Sequence, residues 1–390
     1  MSFSCTINRT TIAFLAFSFC SLFGVCLIGE GYSVYKYTVF LLCTLTITLH
    51  LRSFDLKPTL QRAQVLFFPW LPWLVGVLLL TIIYGPKGFS PYLNSLLLMG
   101  LTYVVADICK ISRNTVYYLI AITNLALSVA ICVQIQLYGL TNEVLFNNKN
   151  IVLGGVAILS SACFVVSLVT QQRIRAISFL SFISGIAAIV LAEVRTGLLA
   201  IFSLIPVVLI IKGKQSFKTV FILLAITAIA LFILYLSGRL QQGLTDIEKF
   251  QQGNSNTSWG IRLEVWRVMF YGFLESPWLG WGPRPYKLIE AAGILPLSPI
   301  SFSGHHPHND LFNILGTGGL LGLVTWLITI LLLFIKSLKD PVRLALLFAI
   351  LAIGLSDCYW FDCRRVLTIF TVTWALLAVS SLSTGKNKNV

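Results

Sequence analysis

Between residues 238 and 310 the chain gathers the groups best suited to chemistry, and its densest run, Ser303-Gly304-His305-His306-Pro307-His308-Asn309-Asp310, holds three of the four histidines. A neutral imidazole accepts a proton from a sugar hydroxyl near neutral pH, which makes one histidine here a candidate general base. The competing reading is a solvated loop with no chemical duty. Zinc explains the run less well, because His-x-His stands without a HExxH motif or a cysteine pair. Arg262 falls in the first turn of a helix predicted from a Thr257 or Ser258 cap to about Phe273, with Leu263, Trp266, Phe270 and Phe273 as an apolar face on the membrane surface. The helix dipole disfavours a cation there unless cation and free amides share an anion such as phosphate; the alternative is an arginine reaching lipid headgroups. Arg195 lies in the tight turn Glu193-Val194-Arg195-Thr196-Gly197 between two apolar stretches, where a charge is costly unless it faces a wet cavity or a partner. Glu193, two residues away, is badly placed to pair with it along a helix.

Metal-dependent sugar transfer usually shows a D-x-D carboxylate pair. The nearest approach, Asp246-Ile247-Glu248, reads as a solvated surface pair. No metal or cofactor is therefore expected, and arginines would have to stabilise a departing phosphate. Downstream, Gly316-Thr317-Gly318-Gly319-Leu320-Leu321-Gly322 sets Gly316, Gly319 and Gly322 near one helix face, either for close helix packing or as a smooth slot for a lipid chain.

The elements that must hold these groups are membrane spans. Of the 390 residues 57% are hydrophobic and 11% charged, against about a quarter charged in soluble domains. A spanning helix needs about 20 apolar residues, and twelve such stretches lie at about 11–28, 34–51, 66–84, 91–108, 115–138, 150–170, 175–193, 196–212, 217–237, 311–335, 342–357 and 366–383. The first is followed by no small-residue cleavage site and reads as a retained span. The net charge of +14 is spread over short loops, which argues against a nucleic-acid partner and for orientation in a membrane. Arg52/Lys57/Arg62, Lys110/Arg113, Arg173/Arg175, Lys212/Lys214/Lys218 and Lys336/Lys339/Arg343 fall on one side with Lys386/Lys388; the opposite short turns hold little more than Lys36, Lys87, Lys149 and Arg195. By the positive-inside rule both termini are cytoplasmic, with Arg364 and Arg365 in the last outer turn as the exception. Residues 1–390 thus read as one membrane domain, and residues 238–310 as a large outer loop between spans nine and ten. Soluble nucleotide-linked donors are cytoplasmic, and no GxGxxG or P-loop follows a strand, so a substrate must arrive on a lipid or be present outside. Most of the nine cysteines lie within spans; Cys358 and Cys363 flank the last outer turn, where an oxidising compartment permits a disulfide.

At this point the residues resemble the O-antigen ligase family and the superfamily it shares with O-antigen polymerases. The family pattern of His, then Asn, Ser or Gln, nine residues, Gly, two residues, Gly is met by His308-Asn309, Asp310 to Gly318, and Gly319-Leu320-Leu321-Gly322. An arginine in the outer turn after span seven is matched by Arg195-Thr196-Gly197, although Glu193-Val194 precedes it where Ser or Thr is usual. A loop-helix small-x-Arg-x-x-x-Trp is matched by Gly260-Ile261-Arg262-Leu263-Glu264-Val265-Trp266, and a following Pro-x-x-Gly-x-Gly by Pro277 to Gly282. The resemblance implies an all-α polytopic fold of the GT-C-like glycosyltransferase kind in a Gram-negative inner membrane, with the site on the periplasmic face. It further implies transfer of an undecaprenyl-diphosphate-linked O-antigen glycan to a sugar hydroxyl of lipid A–core oligosaccharide, inverting and metal-independent. His308 would be the base, with His306 in reserve, and Arg195 and Arg262 a diphosphate clamp. Asn309, Gly319, Gly322, Arg239 and Arg284 are further candidates for substrate contact. The rival readings are an O-antigen polymerase, a protein O-oligosaccharyltransferase, and a transporter or flippase of a lipid-linked sugar.

Overall fold

The computed structural model describes residues 61, 63–64, 66–86, 89–108, 110–140, 143–144, 147–293, 307–360 and 364–385. The expected spans at 11–28 and 34–51, together with His305, His306 and Cys363, lie outside the described residues.

Ten of the twelve apolar stretches fall within them, and each coincides with helix. In chain order the helices are α1 (Leu71–Tyr84, preceded by a 3-10 turn at Phe68–Trp70), α2 (Ser90–Ile108), α3 (Arg113–Tyr138), α4 (Lys149–Val169), α5 (Gln172–Leu191), α6 (Arg195–Phe202), α7 (Leu204–Lys212), α8 (Phe217–Leu236), α9 (Arg239–Gln251), α10 (Ser258–Glu275), α11 (Pro285–Ala291), α12 (Asp310–Ser337), α13 (Pro341–Gly354) and α14 (Arg364–Gly385). Strands β1 (Glu143–Val144) and β2 (Asn147–Asn148) form a small antiparallel hairpin ahead of α4. Among the described residues six helical segments are long and apolar enough to cross a membrane, α6 and α7 counting as one, and shorter apolar helices lie at Phe68–Tyr84, Tyr92–Ile108, Pro341–Gly354 and Arg365–Ser380. The chain is therefore a helical, multi-pass membrane protein.

Short polar side chains decide where several helices begin, because each accepts from an amide that the first turn leaves unsatisfied. Ser112 caps α3, Asn148 caps α4, Thr257 caps α10, Asn309 caps α12 and Asp340 caps α13. Helix α4 is the hub: 89% of its most apolar stretch is buried, against 28% for α8, and it packs on α3, α5, α6, α13 and α14. Polar contacts between α3, α4 and α5 run through Asn124, whose amide donates to Ser160 Oγ and Ser181 Oγ, both at 3.0 Å. Gly185 lets the helices close over this cluster, since a Cβ there would meet Ser160 Oγ.

At the end of the bundle that the charge pattern assigns to the cytoplasm, Asp340 binds two arginines. Arg113 Nη2 donates at 2.6 Å and Arg343 Nε at 2.9 Å, while the same carboxylate caps α13. At the other end of α13 the chain leaves the helix at Gly354 and turns through residues 355–360. Trp360 anchors that turn by packing against Trp70, Trp73, Trp326 and Phe370 with ring centroids 5.7–6.1 Å apart.

The glycine run in α12 behaves differently from the helix face read in the sequence. Gly319, with φ 56° and ψ −147°, breaks α12, and the segment Pro277–Gly282 docks into the break. Leu320 N–H donates to Pro277 O, Leu321 N–H to Trp278 O, Trp281 N–H to Gly316 O and Gly282 N–H to Thr317 O, at 2.7–3.0 Å. The amides and carbonyls freed by the break are thus paired again. The close approach expected of small residues is present, with a loop in place of a neighbouring helix.

Candidate active site

Three helix N-termini converge on one cavity of about 410 Å³. Lys149 and Asn150 reach it from α4, Arg195 and Thr196 from α6, and Ser258, Trp259 and Arg262 from α10. Glu193 and Ser356 complete the polar wall, and Leu198, Leu199, Leu231 and Leu234 of α6 and α8 form an apolar one. A cation in the first turn of a helix opposes the helix dipole. Three such cations around a single cavity make it strongly electropositive, with Glu193 the one carboxylate in the lining.

Arg262 is held from several sides. Thr257 accepts from Gly260 N–H at 3.0 Å and fixes the start of α10, while the Arg262 guanidinium lies over the Trp259 ring at 5.7 Å from its centroid. Asp246, expected to be a solvated surface group, is buried. Its carboxylate accepts from Trp259 N–H at 3.4 Å and ties α9 to the N-terminus of α10. Burial lowers the Arg262 pKa from its ordinary value, and the nearby Asp357 carboxylate opposes that shift. The face that α10 buries is Gly260, Glu264, Val265, Val268, Met269 and Gly272. The predicted stripe of Leu263, Trp266, Phe270 and Phe273 lies off that buried face: Phe270 is exposed, and Trp266 turns to the loop before α12. Helix α9 approaches the Arg195 side of the cavity through Gly243, where a Cβ would lie 2.9 Å from Arg195 Nη1.

His308 stands beside this cavity in a strained backbone conformation, φ 50°, that residues other than glycine rarely adopt. Its surroundings over-determine it. Trp266 Nε1 donates to Pro307 O at 2.6 Å and stacks on Phe312. Asn309 N–H donates to Cys358 Sγ, and Asn309 Nδ2 to Leu355 O at 2.9 Å. Asp310 Oδ1 accepts from Tyr359 N–H and Trp360 N–H at 2.8 and 2.9 Å. These contacts bind the start of α12 to the 355–360 turn, and they bring His308 Nδ1 to 3.3 Å from Asp357 Oδ1. An imidazole held by a carboxylate on Nδ1 presents Nε2 as the acceptor. Asp357 is the candidate site residue that sequence reading missed. A carboxylate between two apolar spans was the signal available, the same one that marked Arg195.

Other expected contacts fall elsewhere. Asn309, expected to touch substrate, has its amide engaged, with Oδ1 accepting from Leu311 N–H and Phe312 N–H. Gly319 faces backbone: a Cβ there would meet Gly280 N and Pro277 O at 2.6 Å. Gly322 lies against Ile314 of its own helix, Arg284 is exposed in the turn before α11 and away from the cavity lining, and Arg239 opens α9. Cys358 Sγ accepts from Asn309 N–H, and Cys363, its candidate disulfide partner, lies outside the described residues.

A family model described as O-antigen ligase matches residues 179–327, which takes in Arg195, Arg262, His308 and the Gly319-to-Gly322 motif. The O-antigen ligase of Escherichia coli (strain K12) is 27% identical over 180 residues, covering 43% of this chain and 43% of that protein, so the similarity spans less than half of either. Lys149 and Asp357 lie outside the matched segment and join it in space. Both arginines and the histidine motif thus lie on the segment that is similar to the O-antigen ligase family.

Proposed function

We propose that the protein is a glycosyltransferase that moves an undecaprenyl-diphosphate-linked O-antigen glycan onto a sugar hydroxyl of lipid A–core oligosaccharide, at the periplasmic face of the inner membrane. The observation that carries this reading is the meeting of an electropositive cavity with a histidine whose Nδ1 lies 3.3 Å from a carboxylate, joined by Arg262 and Ser356, the neighbour of Asp357. The diphosphate of the donor sits among Arg195, Arg262 and the helix N-termini, where charge-assisted hydrogen bonds are strongest. The leucines of α6 and α8 take the first part of the lipid chain. Leu199 and Leu231 keep surface exposed at this wall, which supports an opening toward the bilayer.

His308 Nε2 accepts the proton of the acceptor hydroxyl as its oxygen attacks the anomeric carbon. The bond from that carbon to the diphosphate oxygen breaks on the opposite face, giving inversion. The departing undecaprenyl diphosphate gains negative charge, and the two guanidinium groups bind it more tightly as it forms, which is the condition for lowering the barrier. Asp357 holds the imidazole in the tautomer that leaves Nε2 free and stabilises the imidazolium afterwards.

A lipopolysaccharide gel of a null strain complemented with parent or His308→Ala tests the reading. A general base contributes about 10²–10⁴-fold, so the variant should leave unligated core at normal protein level in the membrane. Full ligation by that variant would remove His308 as the base. Ligation by purified protein in detergent, with no gradient present, separates a transferase from a transporter. The broken helix expected of a transporter exists at Gly319, yet its backbone groups are taken up by residues 277–282 and line no ion path.

A further inference from the structure

We infer that Lys149 is a third phosphate-binding cation of this cavity, an inference that rests on the reading of the cavity as a diphosphate site. Three observations on separate parts of the chain meet at this residue. First, Lys149 lines the cavity together with Arg195 and Arg262, although 46 residues separate it from Arg195 along the chain (195 − 149) and it lies outside the segment that the family model matches. Second, it is the first residue of α4, where the dipole opposes a cation. Its position is fixed from both sides: the β1–β2 hairpin precedes it, and Asn148 caps the helix by accepting from Asn150 N–H at 2.9 Å. Third, it breaks the charge alternation of the loops. Lysines and arginines gather on the opposite side of the bundle; in the short outer turns, those within the described residues are Lys149 and Arg195, which both line this cavity, and the Arg364/Arg365 pair that opens α14.

The charge arithmetic favours the same conclusion. Lys149, Arg195 and Arg262 against Glu193 leave the lining with a net charge of +2 (3 − 1). A diphosphate diester carries one negative charge on each phosphate and gains another when the glycosidic bond breaks. Two guanidinium groups can hold one phosphate face each through paired N–H donors, whereas the lysine ammonium is a compact point charge on a flexible stem, able to follow the extra charge on the leaving oxygen. Lys149 is assigned to binding the diphosphate before and after departure, with no part in proton transfer.

The test is the affinity of the full-length protein, purified in detergent, for inorganic diphosphate, read as the rise in melting temperature on titration. Lys149→Met should weaken binding by at least about tenfold, the usual scale for losing a charged hydrogen bond. Lys149→Arg should stay close to the parent. Lys287→Met, which removes an equal charge from an exposed position on α11 outside the cavity, should change nothing. If Lys149→Met binds like the parent while Arg195→Ala loses binding, the lysine assignment is overturned and the cavity reading survives. Equal weakening by Lys149→Met and Lys287→Met would reduce the effect to general electrostatics and likewise overturn it. If the parent itself shows no diphosphate-dependent stabilisation, the cavity reading falls and takes the inference with it. Should Lys149→Met fail to fold, Lys149→Gln carries the comparison.

Discussion

In the proposed reaction Asp357 orients the base and the base faces the acceptor; removing the carboxylate's charge without its shape isolates that relay. Asp357→Asn keeps a hydrogen-bonding side chain at 3.3 Å from His308 Nδ1 but no longer enforces the tautomer or stabilises the imidazolium. The turnover number should fall by about 10²–10⁴-fold. The KM for the lipid-linked donor should not rise, because the substitution also removes a negative charge that faces Arg262. Steady-state ligation assays with purified protein separate the two parameters, and a raised donor KM with unchanged turnover would make Asp357 a binding residue instead. The arginines should show the opposite pattern. Arg195→Lys and Arg262→Lys each keep a charge but lose the planar pair of donors, so both should ligate poorly in the complementation gel, and parent-like activity of either would end the phosphate-clamp role. At this scale the sequence was legible where a charge sat against its surroundings: Arg195 between apolar spans, Arg262 at a helix start, His308 in a motif. Lys149 and Asp357 obey the same logic and went unread, Lys149 as a minor exception to a charge rule and Asp357 because its partner lies 49 residues earlier in the chain (357 − 308).

Among the elements, the meeting of two glycine segments is the feature that local pattern could not supply. Gly316, Gly319 and Gly322 lie at helical spacing, and from spacing alone all three appear equivalent. They are not, because the helix is interrupted at Gly319 and the turn after α10 fills the gap. A Cβ on Gly280 would lie 2.7 Å from both Gly316 O and Gly319 N, and one on Gly319 would lie 2.6 Å from Gly280 N. Both residues also have positive φ, so any side chain is strained as well as crowded. At Gly322 the nearest atom, Ile314 O, is 3.4 Å away, ordinary contact distance. Gly319→Ala and Gly280→Ala should therefore lose ligation and lower the melting temperature in detergent, each costing more than about 1 kcal/mol. Gly322→Ala should retain both, although it belongs to the same family motif. The reverse ranking would mean that Gly322 faces a substrate and that the docked loop is incidental. Trp266 illustrates the same coupling. Spaced four residues after Arg262, it projects from the same side of α10 and holds the Pro307 carbonyl next to the base, so one helix sets the phosphate clamp and the histidine loop together.

Across the whole molecule, hydrophobic length foretold the spanning helices well because a backbone in lipid has few options: apart from α9 to α11 in the outer loop, the helices start and stop within a few residues of the apolar stretches, α6 and α7 sharing one. Packing order was not legible: nothing in the run from Lys149 to Val169 announced that α4 would be the hub while the more apolar α8 stayed at the rim. The hub is pinned far from the cavity, where Asp340 joins Arg113 of α3 to Arg343 of α13, which packs on α4. Asp340 is almost fully buried, and two guanidinium groups converge on it, so its removal leaves paired cations facing each other without compensation and also deletes the cap of α13. Breaking a buried ion pair from one side typically costs about 3–5 kcal/mol. Asp340→Ala should accordingly lower the melting temperature and the amount of protein in the membrane by more than any cavity substitution does. The fraction that folds should ligate at the parent rate, since the α4, α6 and α10 N-termini lie at the opposite end of the bundle from this pin. Specific activity per folded molecule, set against Tm, is the measurement that decides. A parent-like Tm with lost ligation would relocate function to the Asp340 end, whereas lost stability with intact specific activity would show that the bundle is clamped at one end and reacts at the other.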